Sequence, residues 1–296
     1  MILVTGASGF IGSNLVRHLN KLGRTDIIAV DDVIFKTKEE NVKDLKYHQW
    51  YSVDQFYEKF DDWHEIETVY HEGAISSTTE KNQQLLTEKN QEATYYLIDK
   101  AIEHDFLLSY ASSASVYGSD TVFKETQPLN PKSLYARSKA DIDYYAAIKL
   151  LEYPNAKIQG WRYFNVYGKG EQHKGAQASP IHKFSKQAEI EGEIFVFEGS
   201  ENFLRDFICV DDLIDIKTKA GRWHNGIINL GTGDPVSFRT VAELVSKKYQ
   251  AKIREIEFPE ELRNQYQSYT CADTTKLKSI VGNYKFTTLE DFLNQL

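Results

Sequence analysis

The chain has 296 residues, of which 41% are hydrophobic and 26% are charged, proportions typical of a folded enzyme that can bury a substantial core. Its formal net charge of −8 at pH 7 argues against a nucleic-acid-binding protein, which needs a basic face. The charge does not exclude an anionic small substrate, because a few lysines and arginines can make one cleft positive.

Disulfides and metal sites have little support in the sequence. Cys209 and Cys271 match neither a disulfide framework nor the spacing of metal ligands, and the histidines form no HExxH pair. The chain opens on the apolar run Ile2–Val4 without a basic segment before it, and no apolar run is long enough to cross a bilayer. We therefore expect a cytoplasmic protein without a metal site.

The first half of the chain alternates short apolar runs with longer amphipathic stretches. The runs predict strands at Met1–Thr5, Asp26–Val30, Thr68–His71, Phe106–Ser112 and Lys157–Trp161. The stretches predict helices at Ile11–Leu22, Gln83–His104 and Tyr135–Leu151. This alternation predicts an α/β fold, with a doubly wound parallel sheet and helices on both faces.

The pattern becomes less regular beyond about Gly168. Residues Gly168–Gly175 are rich in polar and glycine residues and predict a loop. Later strands are predicted at Ile194–Phe197, Phe207–Val210 and Ile227–Leu230, and helices at Ala178–Glu191, Phe238–Tyr249 and Leu289–Leu296. We expect a main domain of residues 1–168 plus about 207–233, and a smaller C-terminal α/β lobe of residues 169–206 plus 234–296.

Three glycines follow the first predicted strand, in the segment ILVTGASGFIGSN. Gly6 would make the strand-to-helix turn, Gly9 would let backbone N–H groups approach a pyrophosphate, and Gly12 would allow close helix–strand packing. A glycine triplet alone also fits a flexible loop. Its position between a strand and a helix at the start of the chain favours dinucleotide binding, which would make the main domain the cofactor-binding one.

Two acidic residues, Asp31 and Asp32, end the second predicted strand. An acid at this place accepts hydrogen bonds from the adenosine ribose and disfavours a 2′-phosphate, which argues for NAD. Lys36 and Lys38 follow closely enough to bind such a phosphate, and the sequence equally allows both to be solvated surface lysines. The residues themselves leave the choice between NAD and NADP open.

Tyr135 and Lys139 have the i,i+4 spacing that places two side chains on one face of a helix. The ammonium of Lys139 and a positive nicotinamide ring would both favour the phenolate of Tyr135, as a base requires. Ser113 ends an earlier predicted strand, at the sheet edge where ligands bind in doubly wound folds. Ser113, Tyr135 and Lys139 are therefore candidate catalytic residues.

Four segments, TGASGFIGSN, ASSASVYG, YARSK and RYFNVYG, together resemble extended short-chain dehydrogenase/reductases that act on nucleotide sugars. The resemblance covers nearly the whole chain. It implies a Rossmann domain, a substrate-binding lobe and the catalytic roles given above. Beyond the glycines, Asp31, Asp32 and Lys38, it implies cofactor contacts from Phe10, Ile11, Glu72, Gly73, Ala74, Ile75, Ser76, Asn90 (with Lys89 an equally good alignment), Lys139, Val166 and Lys174.

Four further stretches closely resemble the family of ADP-glycero-manno-heptose 6-epimerases: HEGAISSTTE, RYFNVYGKGEQHKG, FEGSENFLRDF and YQSYTCAD. This resemblance implies transient oxidation and re-reduction of C6, with NADP as the usual cofactor. One acid/base residue would serve each orientation of the rotated intermediate, namely Tyr135 and Lys174. The second role requires a lowered lysine pKa, and the sequence equally allows a phosphate-binding or solvated lysine at 174.

The resemblance also implies substrate contacts, with Arg205 at the substrate's diphosphate. The implied residues are Ser113, Asn165, Lys183, Phe197, Glu198, Gly199, Ser200, Arg205 and Tyr266. His71 is expected to be an ordinary packed histidine, and Arg162 fits a structural strand-end residue. The sequence departs from the family at Asp32, where asparagine is frequent, at Ala176, where serine is common, and at Lys183, where histidine is common.

Three alternatives share parts of this pattern. A UDP-sugar 4-epimerase has the same Ser–Tyr–Lys set but does not need Lys174 as a base. A 4,6-dehydratase needs an acid beside Ser113, where Ala114 and Ser115 stand, and a non-catalytic dinucleotide sensor would not need both Tyr135 and Lys139. The resemblance further implies a homo-oligomer, a pentamer, with ADP-heptose as partner and no nucleic-acid or membrane partner.

Overall fold

The computed structural model describes residues 1–32, 38–220, 224–259 and 267–296. Its strands are β1 Ile2–Thr5, β2 Ile27–Val30, β3 Gln49–Tyr51, β4 Thr68–His71, β5 Leu107–Ser113, β6 Ile158–Tyr163, β7 Asn165–Tyr167, β8 Glu193–Phe197, β9 Leu204–Cys209, β10 Gly226–Leu230, β11 Pro235–Ser237 and β12 Lys252–Ile256. Its α-helices are α1 Phe10–Lys21, α2 Glu39–Val42, α3 Val53–Lys59, α4 Gln83–Leu86, α5 Ala93–His104, α6 Leu134–Glu152, α7 Pro180–Glu191, α8 Val210–Lys219, α9 Phe238–Tyr249, α10 Thr275–Val281 and α11 Leu289–Asn294.

The central sheet has seven strands in the order β10-β6-β5-β4-β1-β2-β3, and all neighbours are parallel. The strands β1 and β2 read ILVT and IIAV and are buried at every position, as expected of strands covered on both faces. The strand order reverses between β1 and β4, and ligands of such folds bind at the carboxyl ends of strands at this point. The predicted doubly wound parallel sheet is confirmed.

Successive residues of β1 enter two different cores. Ile2 and Val4 pack in the core that also holds Leu15 of α1 and Ile214 of α8, whereas Leu3 packs in the core under α5 and α6. Because neighbouring side chains of a strand point to opposite faces, these two cores lie on the two sides of the sheet. No helix of the described ranges is long and apolar enough to cross a membrane.

A third core forms around the later elements. It joins Ile181 of α7, Val196 of β8, Val241 of α9 and Phe292 of α11. The strands β7, β9 and β11 make a three-stranded sheet and β8 pairs with β12, while β10 returns to the central sheet. The division into residues 1–168 plus about 207–233 and residues 169–206 plus 234–296 remains a prediction.

Most predicted helices and strands are present, with ends that lie within one to three residues of the predicted ones, and both ends of α9 are as predicted. The helix predicted over Gln83–His104 is confirmed as one continuous helical segment, in which an unpredicted π-helical turn at Thr87–Glu92 joins α4 to α5. The loop predicted at Gly168–Gly175 instead contains a short 3₁₀ helix at Gln172–Gln177. The strands β3, β7 and β11 were not predicted, because a strand of three residues is too short to show the alternation of apolar and polar side chains.

Candidate active site

The turn after β1 leaves no room for side chains on two of its glycines. Gly6 has a φ of +67°, and a Cβ there would lie 2.7 Å from the backbone nitrogen of Gly73. A Cβ on Gly12 would lie 2.1 Å from the carbonyl oxygen of Gly6. Gly9 precedes α1 and no side chain caps this helix, so its first N–H groups suit an anion.

The glycine turn lies between two cavities. The cavity at the end of β2, here called the β2 cavity, has a volume of about 740 Å³, and the cavity at the end of β5, the β5 cavity, has a volume of about 720 Å³. The β2 cavity is lined by residues that include Gly6, Asp31, Asp32, Lys38, Gly73, Ala74, Ile75 and Lys89. The β5 cavity is lined by residues that include Phe10, Ile11, Ser76, Ser113, Tyr135, Asn165, Val166 and Lys174. A dinucleotide with its pyrophosphate at the turn fits this arrangement, with one nucleoside in each cavity.

The carboxylate of Asp31 is occupied by protein groups. Its Oδ2 accepts hydrogen bonds from the backbone N–H of Ser8 at 2.8 Å and from the Ser8 hydroxyl at 2.6 Å. Its Oδ1 lies 3.6 Å from Nζ of Lys38, which also donates to the Ser8 hydroxyl at 3.1 Å. Asp32 is exposed at the same cavity. Lys36 and Tyr266 lie outside the described residues.

The segment that follows β4 lines both cavities, and hydrogen bonds with the side chain of Asn90 hold it in place. The side-chain oxygen of Asn90 accepts from the N–H of Ile75 at 2.8 Å, and its Nδ2 donates to the Ile75 carbonyl at 3.1 Å. Asn90 is completely buried, whereas its neighbour Lys89 lines the β2 cavity. Of the two aligned candidates, the structure therefore places Lys89 at the cavity and Asn90 behind the loop.

Ser113, Tyr135 and Lys139 come together at the end of β5 and the start of α6. The helix begins after Ser133, whose hydroxyl accepts from the N–H of Ala136 at 3.1 Å. Ser113 and Tyr135 share a hydrogen bond and line the β5 cavity. Nζ of Lys139 donates to the carbonyl of Ala111 on β5 at 2.8 Å.

Burial dominates the proton affinities of the tyrosine and the lysine. It raises the pKa of Tyr135, against the effect of the Ser113 hydrogen bond. Burial lowers the pKa of Lys139 to about 8, while the carboxylates of Asp143 and Glu72 oppose this shift. The protein residues alone therefore do not produce the expected phenolate, and a further positive charge in the cavity is needed to favour it.

His71 and Arg162 have structural partners, in agreement with the sequence. His71 is buried between the hydroxyls of Thr5 at 2.7 Å and Thr94 at 3.0 Å, and burial lowers its pKa to about 3. Arg162 forms a buried ion pair with Asp143, with 2.8 Å between Nε and Oδ2. His71 lines the β2 cavity with its ring held by these two hydroxyls, whereas Arg162 lines neither cavity.

Lys174 lies in the short helix Gln172–Gln177 and lines the β5 cavity, with Nζ 4.9 Å from the centre of the Phe10 ring. Burial lowers its pKa and the nearby Lys183 ammonium adds to this effect, whereas Glu171, 3.9 Å away, opposes it. The direction is the one that a lysine base requires.

The segment Gly168–Gln177, which carries Lys174, is tied to the glycine turn by two asparagines that the sequence did not single out. Nδ2 of Asn14 donates to the Lys169 carbonyl at 2.7 Å. The buried Asn41 donates to the carbonyls of Ser8 and Gly170 at 3.3 and 3.2 Å, and accepts from Gln172 at 3.0 Å. The segment thus extends from the glycine turn, near the β2 cavity, to the wall of the β5 cavity.

The candidate substrate residues separate into two groups. Five of them line the β5 cavity, namely Ser113, Asn165, Lys183, Phe197 and Ser200. Glu198, Gly199 and Arg205 are not among its lining residues. The Arg205 guanidinium lies 5.5 Å from the ring centre of Phe238, which does line the cavity.

Several cavity residues were missed by the sequence reasoning. They include Tyr163, Phe164, Phe184, Gln187, Phe203 and Phe238. Tyr163 and Phe164 stand inside the RYFNVYG segment, so that motif was a usable signal for them. Phe203 likewise stands inside the quoted segment FEGSENFLRDF. Phe184, Gln187 and Phe238 come from helices outside the quoted segments, where a single residue has no distinguishing pattern.

Comparison with known proteins agrees with this geometry. Residues 2–231 match the NAD dependent epimerase/dehydratase family. The fold is similar to the ADP-L-glycero-D-manno-heptose-6-epimerase of Helicobacter pylori, with 25% identity, a TM-score of 0.83 and coverage of 99% of this chain and 94% of that one. It is also similar to the UDP-glucose 4-epimerase of Thermotoga maritima, with 26% identity, a TM-score of 0.86 and coverage of 99% and 96%.

A third similar structure is MoeE5 in complex with UDP-glucuronic acid and NAD, with 26% identity, a TM-score of 0.78 and coverage of 99% and 96%. The family match covers more than half of the chain, and it agrees with the glycine turn, the two cavities and the Ser113–Tyr135–Lys139 arrangement. The chain therefore belongs to the NAD dependent epimerase/dehydratase family, and it is an epimerase, an isomerase that works with a nicotinamide cofactor.

Proposed function

We propose that the protein epimerises C6 of ADP-glycero-manno-heptose. The observation that carries the proposal is that Tyr135 and Lys174 line one cavity. They belong to different elements, so each can serve one orientation of a rotated carbonyl intermediate. The similarity to the Helicobacter pylori 6-epimerase supports this choice of substrate.

A bound nicotinamide ring would supply the hydride acceptor and donor. The Ser113 hydroxyl holds the reacting oxygen of the sugar beside Tyr135, whose phenolate oxygen accepts the hydroxyl proton. Lys139 supplies positive charge on the same helix face. After rotation of the carbonyl, Nζ of Lys174 returns a proton to the oxygen in its new position, a task for which its lowered pKa is suited.

Arg205 and Lys183 are our candidates for the substrate's diphosphate. Lys183 lines the β5 cavity, and Arg205 lies against Phe238 at its wall. A planar guanidinium suits two phosphate oxygens at once. Phe197, Ser200 and Asn165 would contact the sugar and the adenosine from the same cavity.

A UDP-sugar 4-epimerase is the second candidate, because the Thermotoga maritima enzyme is similar over the same length. The test is an NMR assay of purified protein with ADP-heptose and, separately, with UDP-glucose. We expect inversion of ADP-heptose at C6 and an unchanged UDP-glucose spectrum. Conversion of UDP-glucose beside inert ADP-heptose would replace the proposal with the second candidate.

We propose NADP as the cofactor. The Asp31 carboxylate already has Ser8 and Lys38 as partners, which leaves it little capacity to accept from a ribose diol. Lys38 and Lys89 bring positive charge to the β2 cavity, where a 2′-phosphate would bind. The exposed Asp32 is the feature that favours NAD.

Replacement of Lys38 tests this choice. We expect Lys38→Met to weaken NADP⁺ binding roughly tenfold and to leave NAD⁺ binding nearly unchanged, since a hydrogen bond to a charged group contributes about 1.5–3 kcal/mol. Isothermal titration calorimetry measures both affinities. Lys43→Met, an exposed lysine next to α2, is the matched control. Equal weakening of both nucleotides would contradict the assignment.

Replacement of Asn41 tests whether the segment Gly168–Gln177 helps to retain the cofactor. Leucine keeps the volume of Asn41 but removes its bonds to Ser8, Gly170 and Gln172, so we expect roughly tenfold faster cofactor dissociation. Protein loaded with NADPH gives the rate through the change in nicotinamide fluorescence on release. Asn20→Leu, whose amide also bonds backbone carbonyls, is the control, and an unchanged dissociation rate for Asn41→Leu would refute the role.

The pentameric state stays a proposal that rests on the resemblance, and the cytoplasmic location stays a proposal that rests on the cysteines and apolar runs of the sequence. Multi-angle light scattering of the purified chain measures the first directly. A mass of five protomers supports the pentamer, and any other mass rejects it.

A further inference from the structure

A charged cluster that the reaction above does not use lies beneath the β5 cavity. Glu72 and Lys217 form an ion pair in which both side chains are almost fully buried, at 2% and 1% exposure. The Tyr163 hydroxyl donates to both oxygens of Glu72, at 2.9 and 3.1 Å, and also contacts Nζ of Lys217. Tyr163 in turn lines the cavity.

Stability is a weak reason for such a pair. Bringing two charges out of water carries a desolvation penalty that their attraction often fails to recover, so apolar residues of similar volume are frequently as stable. Glu72 and Lys217 are also 145 residues apart, on the end of β4 and on α8. A pair that is expensive to bury and whose partner Tyr163 lines the reaction cavity calls for a functional explanation.

The sheet register places Glu72 next to the catalytic lysine. In the parallel pairing of β4 with β5, His71 is opposite Tyr110, so Glu72 follows at the level of Ala111. The carbonyl of Ala111 is the group to which Lys139 donates. On the other side of β5, Ser113 is opposite Tyr163. Glu72 therefore lies one strand away from the carbonyl that binds Lys139, with its side chain on the α8 face of the sheet, and its Tyr163 partner stands beside Ser113.

Other charged and titratable groups lie near Lys139 or contact the carboxylates of Asp143 and Glu72. They are Asp143 and Tyr135 on α6, Arg162 and Tyr163 on β6, His71 on β4 and Lys217 on α8. Asp143 is engaged by Arg162 and by the Tyr110 hydroxyl, and His71 is neutral at physiological pH. Glu72 is thus the second carboxylate near Lys139, after Asp143.

We propose that Glu72 is a positioning residue that keeps Lys139 protonated, and that Lys217 and Tyr163 hold its carboxylate in place for this purpose. The proposal rests on the catalytic role proposed for Lys139. In its support, burial lowers the pKa of Lys139 to about 8, and Glu72 and Asp143 oppose that shift. Without Glu72 the lysine would lose its proton at a lower pH, where it could no longer favour the Tyr135 phenolate.

The test is the titration of Lys139 in the full chain, followed by NMR of protein with ¹³C-labelled lysine. The Lys139 signal is assigned by its loss in Lys139→Met. The principal variant is Glu72→Gln/Lys217→Met, which removes both charges and leaves neither one buried alone. We expect its Lys139 midpoint to fall by about one pH unit. The alkaline limb of kcat/KM should move with it.

Two further variants complete the test. Glu72→Gln alone should lower the titration midpoint of Lys139 at least as much as the double variant does. This single variant provides the test if the double variant does not fold. Lys247→Met/Glu290→Gln removes an exposed ion pair and should leave the midpoint unchanged. A Lys139 midpoint that stays constant or rises on removal of Glu72 overturns the proposal. The NMR readout needs no substrate, so failure of ADP-heptose as substrate would reject the proposed function and leave this result standing.

Discussion

Tyr135→Phe is expected to lower kcat for epimerisation by about 10²–10⁴-fold, the range typical for loss of a general acid–base group. The phenyl ring keeps the packing of a buried side chain and removes only the hydroxyl that bonds to Ser113. Stability should therefore change little. Because the substitution removes only this hydroxyl, substrate binding should persist while proton transfer fails.

The measurement is the rate of conversion by NMR at saturating substrate, with thermal unfolding as a check of the fold. Tyr144→Phe is the matched control, because Tyr144 lies on the same helix with half of its surface exposed, at 52%. Its kcat should equal that of the parent. Full turnover by Tyr135→Phe would remove Tyr135 from the reaction and with it the proposed role of Lys139.

Lys174→Met is expected to reduce epimerisation by about 10²–10⁴-fold while ADP-heptose still binds. Methionine preserves much of the apolar contact with the Phe10 ring and removes the group that would transfer a proton in the rotated orientation. Loss in kcat with a smaller change in KM is the signature of a group that acts during reaction. A phosphate-binding lysine would instead raise KM and spare kcat.

Lys169→Met provides the comparison for this variant. Lys169 lies in the same segment with an exposed side chain, so its loss tests the effect of removing any cation there. We expect near-parental kcat from it. If Lys174→Met epimerised ADP-heptose as fast as this control, the two-base mechanism would have to be abandoned, and a 4-epimerase that needs only Tyr135 would become the better description.

The local sequence was sufficient to predict much of the fold, and it predicted the part of the site formed by the glycine turn, Tyr135 and Lys139. The glycine turn and the Tyr135–Lys139 spacing depend on a few consecutive residues, whose steric and periodic requirements are visible in the chain itself. The helix α9 was predicted at both ends because its apolar residues repeat regularly between a capping serine and a turn. The π-helical turn at Thr87–Glu92 was not predicted, since the contact of its Asn90 with Ile75 joins residues that are 15 positions apart.

The electrostatic environment was not accessible to sequence reasoning. Asp31 looked like a free ribose acceptor until Ser8 and Lys38 were seen to occupy it. Lys139 was expected to favour the phenolate of Tyr135, yet burial of both residues acts in the opposite direction. Desolvation depends on how much protein surrounds a group, and that quantity has no signature in a linear pattern.

The sequence by itself thus indicated the family through the resemblance of its motifs. Short-range spacing and periodicity indicated the doubly wound sheet and the candidates Gly6, Ser113, Tyr135 and Lys139. Only the tertiary structure decided that Lys174 shares a cavity with Tyr135 and that Lys217 reaches Glu72 across 145 residues. Such contacts are fixed by the packing of distant elements, which joins residues with no relation in the chain.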